Sequence, residues 1–262
     1  MMNEQSYRTL AMQLCMAEKE HRPIEKLTVS YPEITVEDAY RIQLEAVKCK
    51  EEQGQTVVGK KIGFTNRAFQ KSMNISEPDY GHVFDGQMAA QDIPIRVGEL
   101  IQPHIEAELA FVLSRDVKGP GVTEATIMAA TVGIMAAFEV VDIRYKDMKI
   151  ALQDTVADNA ACGRIILGSS LVPITGMDLR TIGLVLEKNG QILDTGVSAS
   201  VLGNPAAAVA WLANKMAAFG VPLKAGELIM SGSFTSMYPV AAGENYTAYF
   251  GGIGSVKASF VN

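Results

Sequence analysis

Val57-Val58-Gly59-Lys60-Lys61-Ile62-Gly63-Phe64 is where the character of the chain changes. The run reads as a strand interrupted by glycines. Before it the apolar spacing is helical. Leu10, Met12, Leu14 and Met16 stand among polar residues over Ser6 to Lys19, and Ala39, Ile42, Leu44 and Val47 recur over Val36 to Gln53. Thr35, with Asp38 three residues on, reads as the N-cap of the second helix. After the run, strand patterns dominate. They cover Ile105 to Leu113, Ile134 to Ile143, Arg164 to Leu167, and the pair Gly183 to Glu187 and Gln191 to Asp194, whose Asn189-Gly190 is the strongest hairpin signal in the chain. Asn66 to Met73 and Thr123 to Thr131 read as helices. So does Ala206 to Phe219, which opens on Asn204-Pro205, is apolar nearly all round, carries the single tryptophan Trp211 and reads as buried. Helices first and strands afterwards predict an α+β fold, not a doubly wound parallel sheet. With 262 residues, against roughly 150 per domain, the chain reads as one unit over 1–262. It has a helical N-terminal lobe over roughly 1–75 and a β-rich part over roughly 76–262.

Composition narrows the function. Lys and Arg total 23 against 29 Asp and Glu, a net charge of −6, with 48% hydrophobic and 20% charged residues. An acidic chain with no basic run is a poor binder of nucleic acid or of an anionic membrane. The longest mostly apolar stretch, Ile127 to Phe138, falls short of the roughly 20 residues a membrane helix needs. The start, Met1-Met2-Asn3-Glu4-Gln5, lacks the basic and apolar regions of a signal peptide. Three widely spaced cysteines, Cys15, Cys49 and Cys162, fit a reducing cytoplasm and form no CxxC knuckle. With only three histidines, metal or acid–base chemistry would fall to carboxylates and lysines.

The best chemical candidate is His104-Ile105-Glu106-Ala107-Glu108-Leu109-Ala110-Phe111-Val112-Leu113. On a strand, Ile105, Ala107, Leu109, Phe111 and Leu113 face one way, and His104, Glu106, Glu108, Ala110 and Val112 the other. Two carboxylates on one face, where a core begins, repel unless a cation such as Mg²⁺ or Mn²⁺ lies between them. The alternative is a solvated face with two surface glutamates, and spacing alone favours it. In Ala136-Ala137-Phe138-Glu139-Val140-Val141-Asp142, Glu139 is embedded in an apolar run and must be neutralised, paired or metal-bound. A salt bridge to Arg144 or to a lysine is the other reading. Lys60 and Lys61 face opposite ways on a strand, so at most one enters a given pocket, and two solvated lysines are the alternative. Asp79 lies in a turn-like stretch, Glu77-Pro78-Asp79-Tyr80-Gly81. Asp158-Asn159 and the run Ser231-Gly232-Ser233-Phe234-Thr235 offer small polar groups that could grip a substrate carboxylate or serve structure alone. Gly251-Gly252-Ile253-Gly254 lacks a following helix and reads as a turn, not a phosphate loop.

Several runs together resemble the hydratase and decarboxylase branch of the fumarylacetoacetate hydrolase superfamily. They are Gly59-x-Lys61-Ile62-Gly63-x-Thr65, Pro78-Asp79-Tyr80-Gly81, Ile101-Gln102-Pro103-x-Ile105-Glu106-Ala107-Glu108, Phe138-Glu139-Val140-Val141-Asp142, Asp154-Thr155-Val156-Ala157-Asp158-Asn159-Ala160 and Gly252-Ile253-Gly254-Ser255-Val256. No single run is decisive, but their combination and order, over nearly the whole chain, are specific. The resemblance implies a mixed β-sheet roll with a helical N-terminal lobe. It implies Mg²⁺ or Mn²⁺ held by Glu106, Glu108 and Glu139. Lys61 and Asp79 would be catalytic, and Asp158, Asn159, Ser233 and Thr235 substrate-binding. His104 stands where relatives usually carry Arg or Lys and is not taken as a ligand. The implied activity is addition of water to a 2-hydroxy-2,4-dienoate in meta-cleavage aromatic catabolism. Decarboxylation of 4-oxalocrotonate is the alternative, since both reactions share one electron sink. Asp79 and the 149–163 region look like the pentenoate hydratases. Tyr31-Pro32-Glu33-Ile34-Thr35 and Gly232-Ser233-Phe234-Thr235 look like members that handle dicarboxylates. An inactive partner subunit of a hydratase–decarboxylase assembly is disfavoured by the intact glutamates and Lys61. The resemblance further implies a homo-oligomer, in possible complex with the companion enzyme of the pathway.

Overall fold

The computed structural model describes residues 2–262; Met1, the first residue of the expected helical lobe, lies outside the described residues. Three helices open the chain, α1 (Glu4–Glu20), α2 (Leu27–Ser30) and α3 (Val36–Glu52). α3 starts at the cap its sequence specifies. Thr35 Oγ1 accepts from Asp38 N at 3.1 Å, and the Asp38 carboxylate accepts from Thr35 N at 3.0 Å, which satisfies two otherwise orphaned N–H groups. α1 and α3 lie against each other with Leu10, Ala11 and Leu14 buried on one helix and Ala39, Ile42 and Ala46 on the other.

The rest of the chain contributes thirteen strands and four helices. In order they are β1 (Val57–Gly63), α4 (Arg67–Met73), β2 (Asp79–Phe84), β3 (Met88–Ala89), β4 (Ile95–Arg96), β5 (Pro103–Leu113), α5 (Glu124–Ala130), β6 (Thr131–Asp142), α6 (Leu152–Ala157), β7 (Cys162–Leu167), β8 (Gly183–Lys188), β9 (Gln191–Val197), α7 (Pro205–Ala217), β10 (Leu228–Ser233), β11 (Tyr238–Pro239), β12 (Asn245–Phe250) and β13 (Gly254–Val261). An eight-stranded sheet runs β2-β1-β10-β5-β6-β7-β3, with β11 added to β5, and a five-stranded sheet runs β4-β13-β12-β8-β9. Parallel pairings at β1/β10 and β3/β7 among antiparallel neighbours make the larger sheet mixed. Asn189-Gly190 joins β8 to β9 with φ of 52° and 76°, the positive values a tight two-residue hairpin turn requires.

The two faces of the larger sheet have different fates. Ile105, Ala107, Leu109, Phe111 and Leu113 turn into the main apolar core. Val83, Ala110, Ala137, Cys162, Ile165 and Met230 form a second, small apolar cluster on the opposite side. Cα pairing of Lys61 with Met230, and of Met230 with Ala110, puts Lys61 on that second face. Alternation brings Glu106, Glu108 and Glu139 there too. Lys60 points the other way and pairs with Glu227 at 2.6 Å.

Three local readings change. Asp79 is not in a turn: it is the first residue of β2, paired with Gly63 across the ladder. β6 starts at Thr131 with no loop after α5, because the β-branched Thr131 already pairs with Leu113. Trp211 is only partly buried, because α7 docks through Ala206, Val209, Leu212, Ala213 and Met216 and turns the tryptophan aside.

Candidate metal centre

β5 and β6 form the longest ladder in the molecule, and its register sets Glu106 directly opposite Glu139. Glu108 lies two residues along β5 and shares their face. Like charges facing each other across a ladder destabilise it, yet here three carboxylates bring ligand oxygens within 4.8 Å of one another. Glu108 and Glu139 are fully buried and Glu106 partly so. Glu108 Oε2 accepts from Gly232 N at 2.8 Å. Glu108 Oε1 and Glu139 Oε2 have no hydrogen-bond partner, and Glu139 Oε1 has no hydrogen bond but pairs with the Lys61 ammonium, the salt bridge to a lysine that the sequence left open. Burial first, then the charge of Glu139, pushes the Glu106 carboxyl up to about 7. Glu108 is raised well above the usual carboxylate range, first by burial and then by its two acidic neighbours. Unpartnered buried oxygens that resist ionisation are what a bound cation would relieve, so these residues fit a divalent ion.

A lysine flanks the carboxylates. Lys61 Nζ donates to Ala160 O at 2.8 Å and lies 3.2 Å from Glu139 Oε1. Burial works against its charge, but Glu139, Asp79 and Glu106 outweigh it and raise its pKa, so the ammonium stays protonated. Asp79, buried at the start of β2, leaves Oδ1 unpartnered. Burial raises its pKa against the opposing charge of Lys61. A Cβ added to Gly63 would lie 2.2 Å from Asp79 Oδ1 and 3.4 Å from Lys61 Nζ, so the two groups converge over a position with no room for a side chain.

The remaining candidates fall in two groups. Ser233 is the ladder partner of Glu108, its Oγ accepting from Thr235 N at 3.4 Å, and the Thr235 hydroxyl turns to Ser236 O at 3.2 Å. Asp158 and Asn159 lie at the edge of the site with their side chains committed. The Asp158 carboxylate takes Arg144 Nε at 2.5 Å and Arg144 N at 3.0 Å. The Asn159 amide brackets His82, accepting from its N at 2.7 Å and donating to its O at 2.8 Å. What reaches the site from this segment is the main-chain carbonyl of Ala160. His104 Nδ1 lies 2.9 Å from Gln102 O, and His104 is not part of the carboxylate cluster. Two residues beyond the sequence candidates emerge. Ser231 is fully buried with an unpartnered Oγ, and Thr65 packs on Gly232 beside the Glu108 contact. Thr65 closes the Gly-x-Lys-Ile-Gly-x-Thr run and Ser231 opens the Ser-Gly-Ser run, so both lay inside quoted motifs without being singled out.

Known proteins resemble this chain over most of its length. The chain is 41% identical over 263 residues to 2-hydroxyhexa-2,4-dienoate hydratase of Comamonas testosteroni, covering 99% of each chain. It is 44% identical over 213 residues to 2-hydroxypent-2,4-dienoate hydratase of Pseudomonas putida, covering 81% of this chain and 96% of that one. Among solved structures, 4-oxalocrotonate decarboxylase from Pseudomonas putida G7, complexed with magnesium and adipate, matches with a TM-score of 0.97 at 37% identity, covering 100% of this chain and 99% of that one. The model of the fumarylacetoacetate (FAA) hydrolase C-terminal family matches residues 49–261, from the end of α3 to the end of β13, and the chain belongs to that family.

Proposed function

We propose that the protein is a divalent-cation-dependent lyase that adds water to a 2-hydroxy-2,4-dienoate of the 2-oxopent-4-enoate type, giving a 4-hydroxy-2-oxo acid in meta-cleavage catabolism. The observation that carries this reading is the trio of Glu106, Glu108 and Glu139, whose ligand oxygens lie within 4.8 Å of one another, with buried oxygens of Glu108 and Glu139 left without a hydrogen bond. An all-oxygen donor set suits a hard cation such as Mg²⁺ or Mn²⁺. When bound, the cation supplies positive charge to the carboxylate and C2 oxygen of a 2-oxo acid and lowers the cost of negative charge on that oxygen. The names of the hydratase relatives support the substrate class.

The chain's own residues supply the proton traffic. Hydration of the simplest dienoate needs the C2 hydroxyl to lose its proton as one is delivered to the terminal carbon C5, a water to give up a proton as its oxygen bonds to C4, and a proton to be delivered to C3. Lys61 and Asp79 converge over Gly63 as an ammonium and an acid of raised pKa, the pair assigned to moving these protons and orienting the water. Ser233 and Thr235 are assigned to gripping the substrate carboxylate. Asp158 and Asn159, whose side chains are committed, act through the backbone they hold. In this reading the enzyme works in the cytoplasm as a homo-oligomer, beside the companion enzyme of its pathway. Three free cysteines support the first point, and the partly buried Trp211 on the apolar helix α7 supports the second.

Decarboxylation of 4-oxalocrotonate is the second reading, favoured by the structural match to that decarboxylase. Asp79 favours hydration, which must place and deprotonate a water. The deciding experiment offers the purified protein 2-hydroxypenta-2,4-dienoate and 4-oxalocrotonate separately with Mg²⁺, following dienoate loss and CO₂. Hydration of the first without CO₂ from the second is the expected result. CO₂ release without hydration selects the second reading.

A further inference from the structure

Residues 159–161 adopt a conformation that L residues avoid. Asn159, Ala160 and Ala161 have φ of 53°, 50° and 56° in succession, one turn of left-handed helix with no glycine in it. Asparagine visits this region readily, but two consecutive alanines do so only when their surroundings dictate it. Here three sets of contacts dictate it. The Asn159 amide caps the free edge of β2 through the N and O of His82, at 2.7 and 2.8 Å. The Asn159 carbonyl presses on Gly81, where an added Cβ would lie 2.2 Å from it. The Arg144 guanidinium ties both ends of the turn together, donating to Asp158 O on one side and to Cys162 O at 3.0 Å on the other, while its Nε holds the Asp158 carboxylate.

The side chains of Ala160 and Ala161 carry no polar group, and the polar atoms of Asn159 and Asp158 are occupied. The turn's one contact with the site is the Ala160 carbonyl, 2.8 Å from Lys61 Nζ. We infer that Asn159 and Arg144 are positioning residues for Lys61: they hold a left-handed turn that aims the Ala160 carbonyl at the ammonium and, together with Glu139, fixes its orientation. The importance of that orientation rests on the proposed role of Lys61 in proton transfer. The hydrogen bonds of the turn go to Lys61, His82 and Arg144 and none goes to Glu106 or Glu108, so loosening it disturbs the lysine and spares most of the carboxylate trio.

The test uses Asn159→Gly, which keeps the freedom to take positive φ and removes both bonds to His82, and Arg144→Lys, which keeps a charge beside Asp158 but cannot bridge the two ends of the turn. The first readout is independent of turnover: the ¹H–¹⁵N correlation of the Lys61 ammonium, assigned by its loss in Lys61→Arg, with the Lys60 signal from the opposite face as internal control. In each folded variant the Lys61 signal shifts or broadens and the Lys60 signal holds. The second readout is kinetic. The kcat falls about tenfold or more, while KM and the Mg²⁺ dissociation constant stay within about twofold, the pattern of a misaimed group and not of a lost binding site. A purely structural role lowers the melting temperature and leaves both readouts of the folded protein unchanged. An unmoved Lys61 signal in both variants overturns the proposal, as does a kcat within about twofold of the parent's once the signal has moved. If the parent turns over neither substrate while the Lys61 signal responds as described, the positioning of the lysine stands and the functional reading falls.

Discussion

Stripped of metal, the protein should lose stability as pH rises through neutrality, against the usual behaviour of paired carboxylates. Burial and Glu139 raise the Glu106 carboxyl from 4.5 in the open chain to about 7 in the fold. Between those values the folded state holds a proton that the unfolded state has released. The contribution is complete below about pH 4.5 and lost as pH climbs through about 7. The shift corresponds to something on the order of 3 kcal/mol for Glu106. Glu108 and Glu139 are raised in the same direction and steepen the loss. At this chain length the Glu106 part alone lowers the melting temperature by roughly 6–12 °C between about pH 5 and about pH 8. The assay is thermal unfolding in EDTA at a series of pH values, repeated in millimolar Mg²⁺ and with Glu106→Gln. Mg²⁺ should flatten the slope by taking the place of the protons. Glu106→Gln should make the slope shallower without metal, leaving the part due to Glu108 and Glu139, and show no further response to Mg²⁺. A metal-free melting temperature level across that range, or a Glu106→Gln slope as steep as the parent's, refutes the reasoning.

The remaining predictions concern turnover. Chelation should abolish activity, and Glu139→Gln should fail to recover it in millimolar Mg²⁺; full turnover in EDTA would remove the metal from the mechanism. Lys61→Ala should lose about 100-fold or more in kcat, the scale of a proton-transfer group. Lys60→Ala should break the 2.6 Å pair with Glu227, at a cost of about 3–5 kcal/mol in denaturant unfolding, and leave the kcat of the folded enzyme near the parent's. The reverse pattern would mean that the wrong lysine has been assigned. Gly63→Ala places a methyl 2.2 Å from Asp79 Oδ1, so kcat should drop about tenfold with Mg²⁺ affinity intact; isothermal titration separates the two.

The parts of the fold that were legible are those where local chemistry and tertiary structure agree. Thr35 and Asp38 cap α3 because both bonds form between residues three apart, and Asn189-Gly190 turns β8 into β9 because both residues tolerate positive φ. The alternation over 105–113 placed the two glutamates on one face because a strand has no other way to arrange them. Asp79 was read as a turn residue because its strand character comes from pairing with Gly63, sixteen positions earlier in the chain, and nothing in Glu77-Pro78-Asp79 signals it. α6 spans six residues, too few for an apolar period to show.

The site divides along the same line, and the division explains how the two kinds of residue differ. Glu106, Glu108 and Glu139 stood out because each breaks an apolar strand, and a buried carboxylate without an evident partner raises its own question. Asp158 and Asn159 read in the sequence as small polar groups for a substrate or for structure, and the structure gives them structural partners. Arg144, fourteen residues upstream, neutralises Asp158, and the backbone of His82, on a separate strand, consumes Asn159. The spacing of Arg144 and Asp158 follows no helix or strand period, and the main-chain groups of His82 carry no sequence signal at all. The left-handed turn is hidden further, since alanine is the residue least suggestive of positive φ. Polarity in the sequence therefore located the segment that matters, but the group it delivers to the site is a main-chain carbonyl. The oxygens left without a partner after folding, on Glu108, Glu139, Asp79 and Ser231, are a sharper guide to where substrate and cation would sit than the polar residues counted along the chain.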